Sequence, residues 1–493
     1  MVIRDLREYI EALAGAGELH RIDKEVDWDT EAGLIASRAN ETGAPAPLFT
    51  RIKGYQEGYS LFGSPLSGSR VKGDRPWRRF AIALGMEPEV SFWDLIEEYI
   101  KRKRYPLKPM VLSWGPCKEN IQVGKEVDLF KLPIPFIHEG DGGRYSSWHT
   151  FINKDPDSDW ANWGLYRWMV HTGNRLGVQM LPGQHGPMLY YLKYENKNKP
   201  MPFCIALGGD PLITIAASIP LPAGVNEIEI AGGLRRGPME LVKAETVDIY
   251  LPTLAEIVIE GEIYPHERAD EGPFAEYHSY KRGPRLPAPV GRVTAITHRD
   301  NPIFPFSSSG PPMDDYAAAS SVTTSGELLS ILRDKNGWPV RGVYCPPDCI
   351  DNLVIISATM IYSYFSRQLA AAVWGSKPGM TYNKVIVCDA DVDPADRETV
   401  FHNFCHKNHP YRGVRKFEYA PGYPTQQYLS YQERLNNRGA QVYFDCSWPL
   451  DWDPETEIVK QVSFETNYPK EIQELVLQRW KEYYGYERGS YEI

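Results

Sequence analysis

Between Arg4 and Leu19 the apolar residues Leu6, Tyr9, Ile10 and Leu13 recur at three- and four-residue intervals, and Gly15 and Gly17 follow as a stop. This period predicts an amphipathic helix at the head of the chain. Helical patterns return over residues 29–41 and 91–102 with short extended segments between them, so residues 1–110 read as an N-terminal α/β domain. From residue 111 to 306 the pattern changes to short apolar runs, such as 201–207, 213–217 and 256–260, separated by Gly and Pro clusters. This texture predicts a mostly β domain, a small barrel or sandwich with long loops. Residues 307–493 alternate again, with a helix over 317–332, a long apolar helix over 353–374 and a strand over 384–388. An ordered aromatic loop over 448–454 and an amphipathic helix over 470–484 close this third, α/β domain. The whole reads as an α/β multidomain chain without internal repeats.

Composition narrows the partners. Lys and Arg total 54 against 64 Asp and Glu, a net charge of -10, which argues against nucleic acid and against anionic membrane surfaces. Any anionic ligand must therefore be drawn by local cations. The seven cysteines, at 117, 204, 345, 349, 388, 405 and 446, are scattered and odd in number, unlike a secreted disulfide framework. With no cationic leader and no apolar run long enough for a bilayer, a cytoplasmic protein is expected.

Four segments carry candidate chemistry. Asp-Glu-Gly-Pro-Phe-Ala-Glu, residues 270–276, is an acidic turn in which Gly272 permits unusual backbone angles and Pro273 fixes one. In a regular strand Glu271 and Glu276 would face opposite sides, so a shared site requires the turn to bend the chain. If they converge, burial and a neighbouring carboxylate raise the pKa of one while an arginine lowers that of the other, which suits acid/base work. Otherwise this is a solvated acidic turn. Residues 160–168 read Trp-Ala-Asn-Trp-Gly-Leu-Tyr-Arg-Trp, where Arg167 offers a fork for a carboxylate or phosphate and Asn162 an oxygen for a hard cation. The alternative is an amphipathic strand whose arginine stacks on a ring. His185 lies in a Gly-rich turn, as a metal ligand or a hydrogen-bonded loop residue. Glu227 alternates with Glu229, which predicts a strand with one polar, solvated face.

Two further metal signals, Cys345-Pro-Pro-Asp-Cys349 and the His402, His406, His409 run, match no strong zinc pattern. Ala-Leu-Gly-Gly-Asp-Pro, residues 206–211, is a tight turn. Dinucleotide, Walker and nucleophile-elbow signatures are missing from the sequence.

Taken in order, the spaced Asn162 and Arg167, His185, Glu227 and the Glu-Gly-Pro-Phe-Ala-Glu segment resemble the UbiD family of reversible decarboxylases, whose cofactor is prenylated FMN. The turn at 206–211 and the Ile-Ala-Ala-Ser-Ile-Pro run at 215–220 are similar to family segments that line the cofactor pocket. The resemblance spans nearly the whole chain. It implies a central flavin-reductase-like split β-barrel holding the cofactor, and a C-terminal domain that makes a homodimer or higher homo-oligomer.

Carried over residue by residue, the resemblance gives Asn162, His185 and Glu227 to a Mn2+ or Mg2+ ion beside the cofactor phosphate. Trp163, Ala216 and Ile219, with Glu227, would hold K+. Gln184 and Pro220 would touch the flavin, with Leu165, Ala217 and Ser218 beside it, and Lys384 would meet the phosphate. Glu276 is then the proton donor, Arg167 orients the substrate carboxylate, and Glu271 pairs with Arg167. The implied activity is reversible removal of carboxylate from an aromatic or α,β-unsaturated acid, with a flavin prenyltransferase supplying the cofactor. Residues 25–41 look most like the phenylphosphate carboxylase and phthaloyl-CoA decarboxylase branch, and the polar stretch 307–315 is expected near the substrate ring. The alternatives are an FMN-dependent reductase, since the same barrel type serves hydride transfer, and a subunit acting only within a larger carboxylase.

Overall fold

The computed structural model describes residues 2–73, 75–181, 183–282, 284–310, 313–459 and 461–486. The opening helix, Leu6–Gly15, starts where the Asp5 side chain accepts from Glu8 N, and its Leu6, Tyr9, Ile10 and Leu13 stripe is buried. The N-terminal sheet runs in the order Leu19–Val26, Ala46–Ile52, Ser60–Gly63 and Ile303–Phe306. Its last strand thus comes from far along the chain, pairing parallel to Ser60–Gly63 after the central domain has been traversed.

The central sheet has nine strands. Its two longest, Ile257–Glu271 and Leu286–His298, pair antiparallel through most of their length and anchor the rest. Strands Thr150–Lys154 and Ala161–Gly164 close one end and Tyr145–Ser146 the other. Among the described residues these ends do not pair with each other, so the barrel is split. The C-terminal sheet runs Val340–Tyr344, Leu353–Ala358, Lys384–Asp389, Arg438–Cys446 and Val414–Pro421, with its three middle strands parallel. One continuous apolar cluster joins the units, from Leu6 through Ala216 to Leu369.

Three elements differ from the sequence-based expectation. Residues 213–217 are helical, within Pro211–Ser218, where the Asp210 side chain accepts from Leu212 N and Pro211 occupies the first turn. An all-apolar run has no periodicity to separate helix from strand, and this one is buried along its length. Glu227 opens the helix Glu227–Arg235 rather than lying on a strand, and it is buried rather than solvated. Residues 353–374 form the strand Leu353–Ala358 and then the helix Phe365–Trp374, with Tyr364 at φ +69° between them. The turn at 206–211 is as expected, with Gly208 and Gly209 at φ +74° and +91°.

Candidate active site

The strand Ile257–Glu271 ends at Gly272, whose φ of +93° turns the chain before the short strand Phe274–Glu276. That bend does what a continuous strand cannot. It brings both glutamates to one guanidinium, with Arg167 Nε and Nη2 donating to Glu271 at 3.0 and 3.1 Å and Nη1 donating to Glu276 Oε1. Each carboxylate residue is only 5% exposed. Arg167 stands in the break between strands Ala161–Gly164 and Trp168–Thr172, its Cζ 4.7 Å over the Phe274 ring. Burial works against its charge, but Glu276 and Glu271 more than offset this and hold the guanidinium protonated. Tyr145, not singled out in the sequence, donates to Glu271 at 2.9 Å and accepts from Gly272 N, fixing the bend from outside.

A cavity opens on one side of Arg167, between the barrel and the C-terminal domain. Glu276 lines it; Glu271 does not, and faces a smaller space behind the arginine. Asn162, Trp163, Leu165, Gln184, His185, Ala217, Ser218, Ile219, Pro220 and Glu227 also line the main cavity. Ala216 is fully buried beneath it, and its carbonyl and that of Ile219 already accept the backbone N–H groups of Ile219 and Leu221. Of the stretch 307–315, Ser307 and Ser309 line the cavity, and Pro311 and Pro312 lie outside the described residues.

Trp160 gathers three of these segments. Its indole N–H donates to Val225 O, and its ring meets the His185 ring edge-on at 5.5 Å. Tyr166 does the same from below, its hydroxyl accepting from Gly186 N and from Asn162 Nδ2. A Cβ on Gly186 would fall 2.6 Å from the Tyr166 ring, so glycine is what lets the two approach. Asn162 Nδ2 also donates to Asn153, which leaves Oδ1 as its available acceptor. Glu227 is 3% exposed, and Trp163 N donates to it at 3.2 Å. Burial pushes its carboxyl up to about 8, beyond what backbone N–H groups offset. His185 is pushed down to about 4 by burial and by Lys377, so its imidazole is neutral. Two hard oxygens and a neutral imidazole are a donor set that suits a divalent cation.

Lys384 heads its strand beside an adjoining cavity, and among the described residues Lys377 is the lysine that lines the main one, donating to Gly183 O at 2.7 Å. Ser-Lys-Pro-Gly at 376–379 is a loop signal that could have put Lys377 forward. Asp351 and Tyr277 were also passed over. They meet across the cleft, Tyr277 donating to Asp351 at 2.5 Å, with Thr381 donating to the other carboxylate oxygen at 2.9 Å. Gln184 bridges likewise to Tyr423.

Three segments match family models described as the 3-octaprenyl-4-hydroxybenzoate carboxy-lyase N-terminal domain (residues 10–99), Rift-related domain (110–312) and C-terminal domain (319–446). The chain is 32% identical over 498 residues to phenolic acid decarboxylase of Sedimentibacter hydroxybenzoicus, covering 96% of this chain and 98% of the relative. It is 30% identical over 489 residues to pyrrole-2-carboxylic acid decarboxylase of Pseudomonas aeruginosa, covering 97% and 98%. Among solved structures, vanillic acid decarboxylase of Sedimentibacter hydroxybenzoicus in its closed form superposes with a TM-score of 0.87 at 30% identity, covering 98% of this chain and 100% of that one. An evolved dimeric form of HmfF from Pelotomaculum thermopropionicum, in complex with prenylated FMN, gives 0.77 at 28% identity, covering 95% and 99%.

Proposed function

The chain belongs to the UbiD family of carboxy-lyases, and from that premise we propose that it decarboxylates an aromatic or α,β-unsaturated acid with prenylated FMN, the reaction being reversible. The observation that carries the reading is the single guanidinium of Arg167 shared by two buried glutamates, only one of which faces the cavity. Prenylated FMN supplies the electron sink that no side chain offers when a carbon to carboxylate bond breaks. Asn162, His185 and Glu227 would hold Mn2+ or Mg2+ to offset the charge of the cofactor phosphate, and Trp163, Ala216, Ile219 and Glu227 would hold K+. Lys377, which lines the cavity, would face the cofactor phosphate.

The chain's own residues then divide the work. Arg167 receives the substrate carboxylate with whichever donor it turns from Glu276, while Glu271 keeps the other edge of the guanidinium fixed. Glu276 hands a proton to the carbon that carbon dioxide leaves. Phe274, which lines the cavity beside Glu276, helps exclude water from that step. A flavin prenyltransferase supplies the cofactor, and the protein acts as a homo-oligomer.

The test is Glu276→Gln in the cofactor-loaded protein, made by co-expression with a flavin prenyltransferase. The variant keeps the cofactor's absorbance but releases carbon dioxide from a panel of aromatic acids at least about 100-fold more slowly, the scale of a lost general acid. Turnover near that of the parent would sink the assignment.

A further inference from the structure

A second cavity lies beside the first, with Tyr277 and Thr425 walling both. Lys384 enters it from the C-terminal sheet and His278 from the barrel's hairpin. Lys384 Nζ lies 4.3 Å over the Tyr428 ring, and among the described residues no carboxylate sits within ion-pair distance of it. Both ring nitrogens of His278 are buried without a hydrogen-bond partner, as is Thr425 Oγ1. The acids nearby are already engaged. Asp348 is paired with Arg397 at 2.9 Å, and Asp351, 3.9 Å from His278 Nε2, accepts from Tyr277 and Thr381.

Buried donors are seldom left without acceptors, and a partly buried ammonium without a counter-ion is costly. Water can satisfy the ring nitrogens but cannot neutralise Lys384. A group carrying several acceptor oxygens and a negative charge neutralises Lys384 and accepts from whichever ring nitrogen carries the proton, leaving the other to water. We propose that this second cavity is an oxyanion-binding site, taking a carboxylate or phosphate group between Lys384 Nζ and the His278 ring. Because those two residues come from different domains, the bound anion ties the barrel's hairpin to the C-terminal sheet. The anion is either a free ion or a distal acid group of a substrate that reaches past Tyr277.

The experiment uses the full chain loaded with FMN, so that the main cavity's phosphate position is filled, titrated with inorganic phosphate by calorimetry. The expected result is saturable binding that Lys384→Gln weakens by about tenfold or more and Lys384→Arg partly restores, the scale of one charge-assisted hydrogen bond. No binding to the loaded parent, or equal affinity in Lys384→Gln, would overturn the proposal. Binding is read without turnover, so its failure is distinct from failure of the decarboxylase reading. A second arm separates the sources. A KM increase in Lys384→Gln confined to acids with a second acid group identifies the substrate's own arm, and weakened phosphate binding with KM unchanged identifies a free ion.

Discussion

Arg167 makes three hydrogen bonds to two carboxylates from inside the protein, an arrangement in which losing any one partner strands a buried charge. The neighbouring His149 tells a similar story with a measurable sign. Its ring is buried between Ser146 Oγ and Tyr166 O, and burial pushes its pKa from 6.5 down to about 4. The unfolded chain therefore takes up a proton that the folded chain refuses. The stability this neutral ring contributes is present above pH 6.5 and lost as pH falls to about 4. Denaturant unfolding of His149→Gln should show a shallower acid loss than the parent, by on the order of 3 kcal/mol across that window. At this scale the meeting of Glu271 and Glu276 at Arg167 was legible as a possibility, because it needed only a bend of the chain at Gly272. Which of Lys377 and Lys384, seven residues apart in sequence, lines the main cavity was not legible, because that depends on how a loop packs.

The bend at residues 271–276 is where a backbone conformation becomes a chemical arrangement. Gly272 holds φ +93°, and a Cβ there would meet nothing closer than 3.7 Å, so the penalty of substitution is conformational rather than a clash. Gly272→Ala should cost about 1–2 kcal/mol in unfolding experiments, from forcing a side chain into the left-handed region. It should also slow carbon dioxide release, because relaxing the bend parts Glu276 from Arg167; unaltered turnover would mean that the bend does not set the pair. Helices and strands with a polar face were readable from their period, as with Leu6–Gly15. Those without one were not. The helices Pro211–Ser218 and Glu227–Arg235 are buried nearly all round, so their residues carry no amphipathic signal, and Glu227's alternation with Glu229 imitated a strand.

Over the whole molecule, the last segment stands out because it packs on so little of its own chain. None of the helix Lys470–Arg479 is buried, and Ile472, Leu477 and Tyr483 are exposed. Apolar residues carried that far from a core are interface material. Removing residues 447–493 should lower the molar mass in light scattering to that of a single chain while leaving the cofactor spectrum intact; an unchanged mass would place the contact elsewhere. The changes of texture along the sequence suggest three domains, but they do not announce the strand Ile303–Phe306, which follows the central sheet in sequence and completes the N-terminal one. Ser307 and Ser309 follow it directly into the cavity. The N-terminal domain, none of whose described residues lines the main cavity, is therefore not an interchangeable cassette: a chimera that swapped residues 1–110 for a foreign counterpart would re-seat that strand and retune what the pocket accepts.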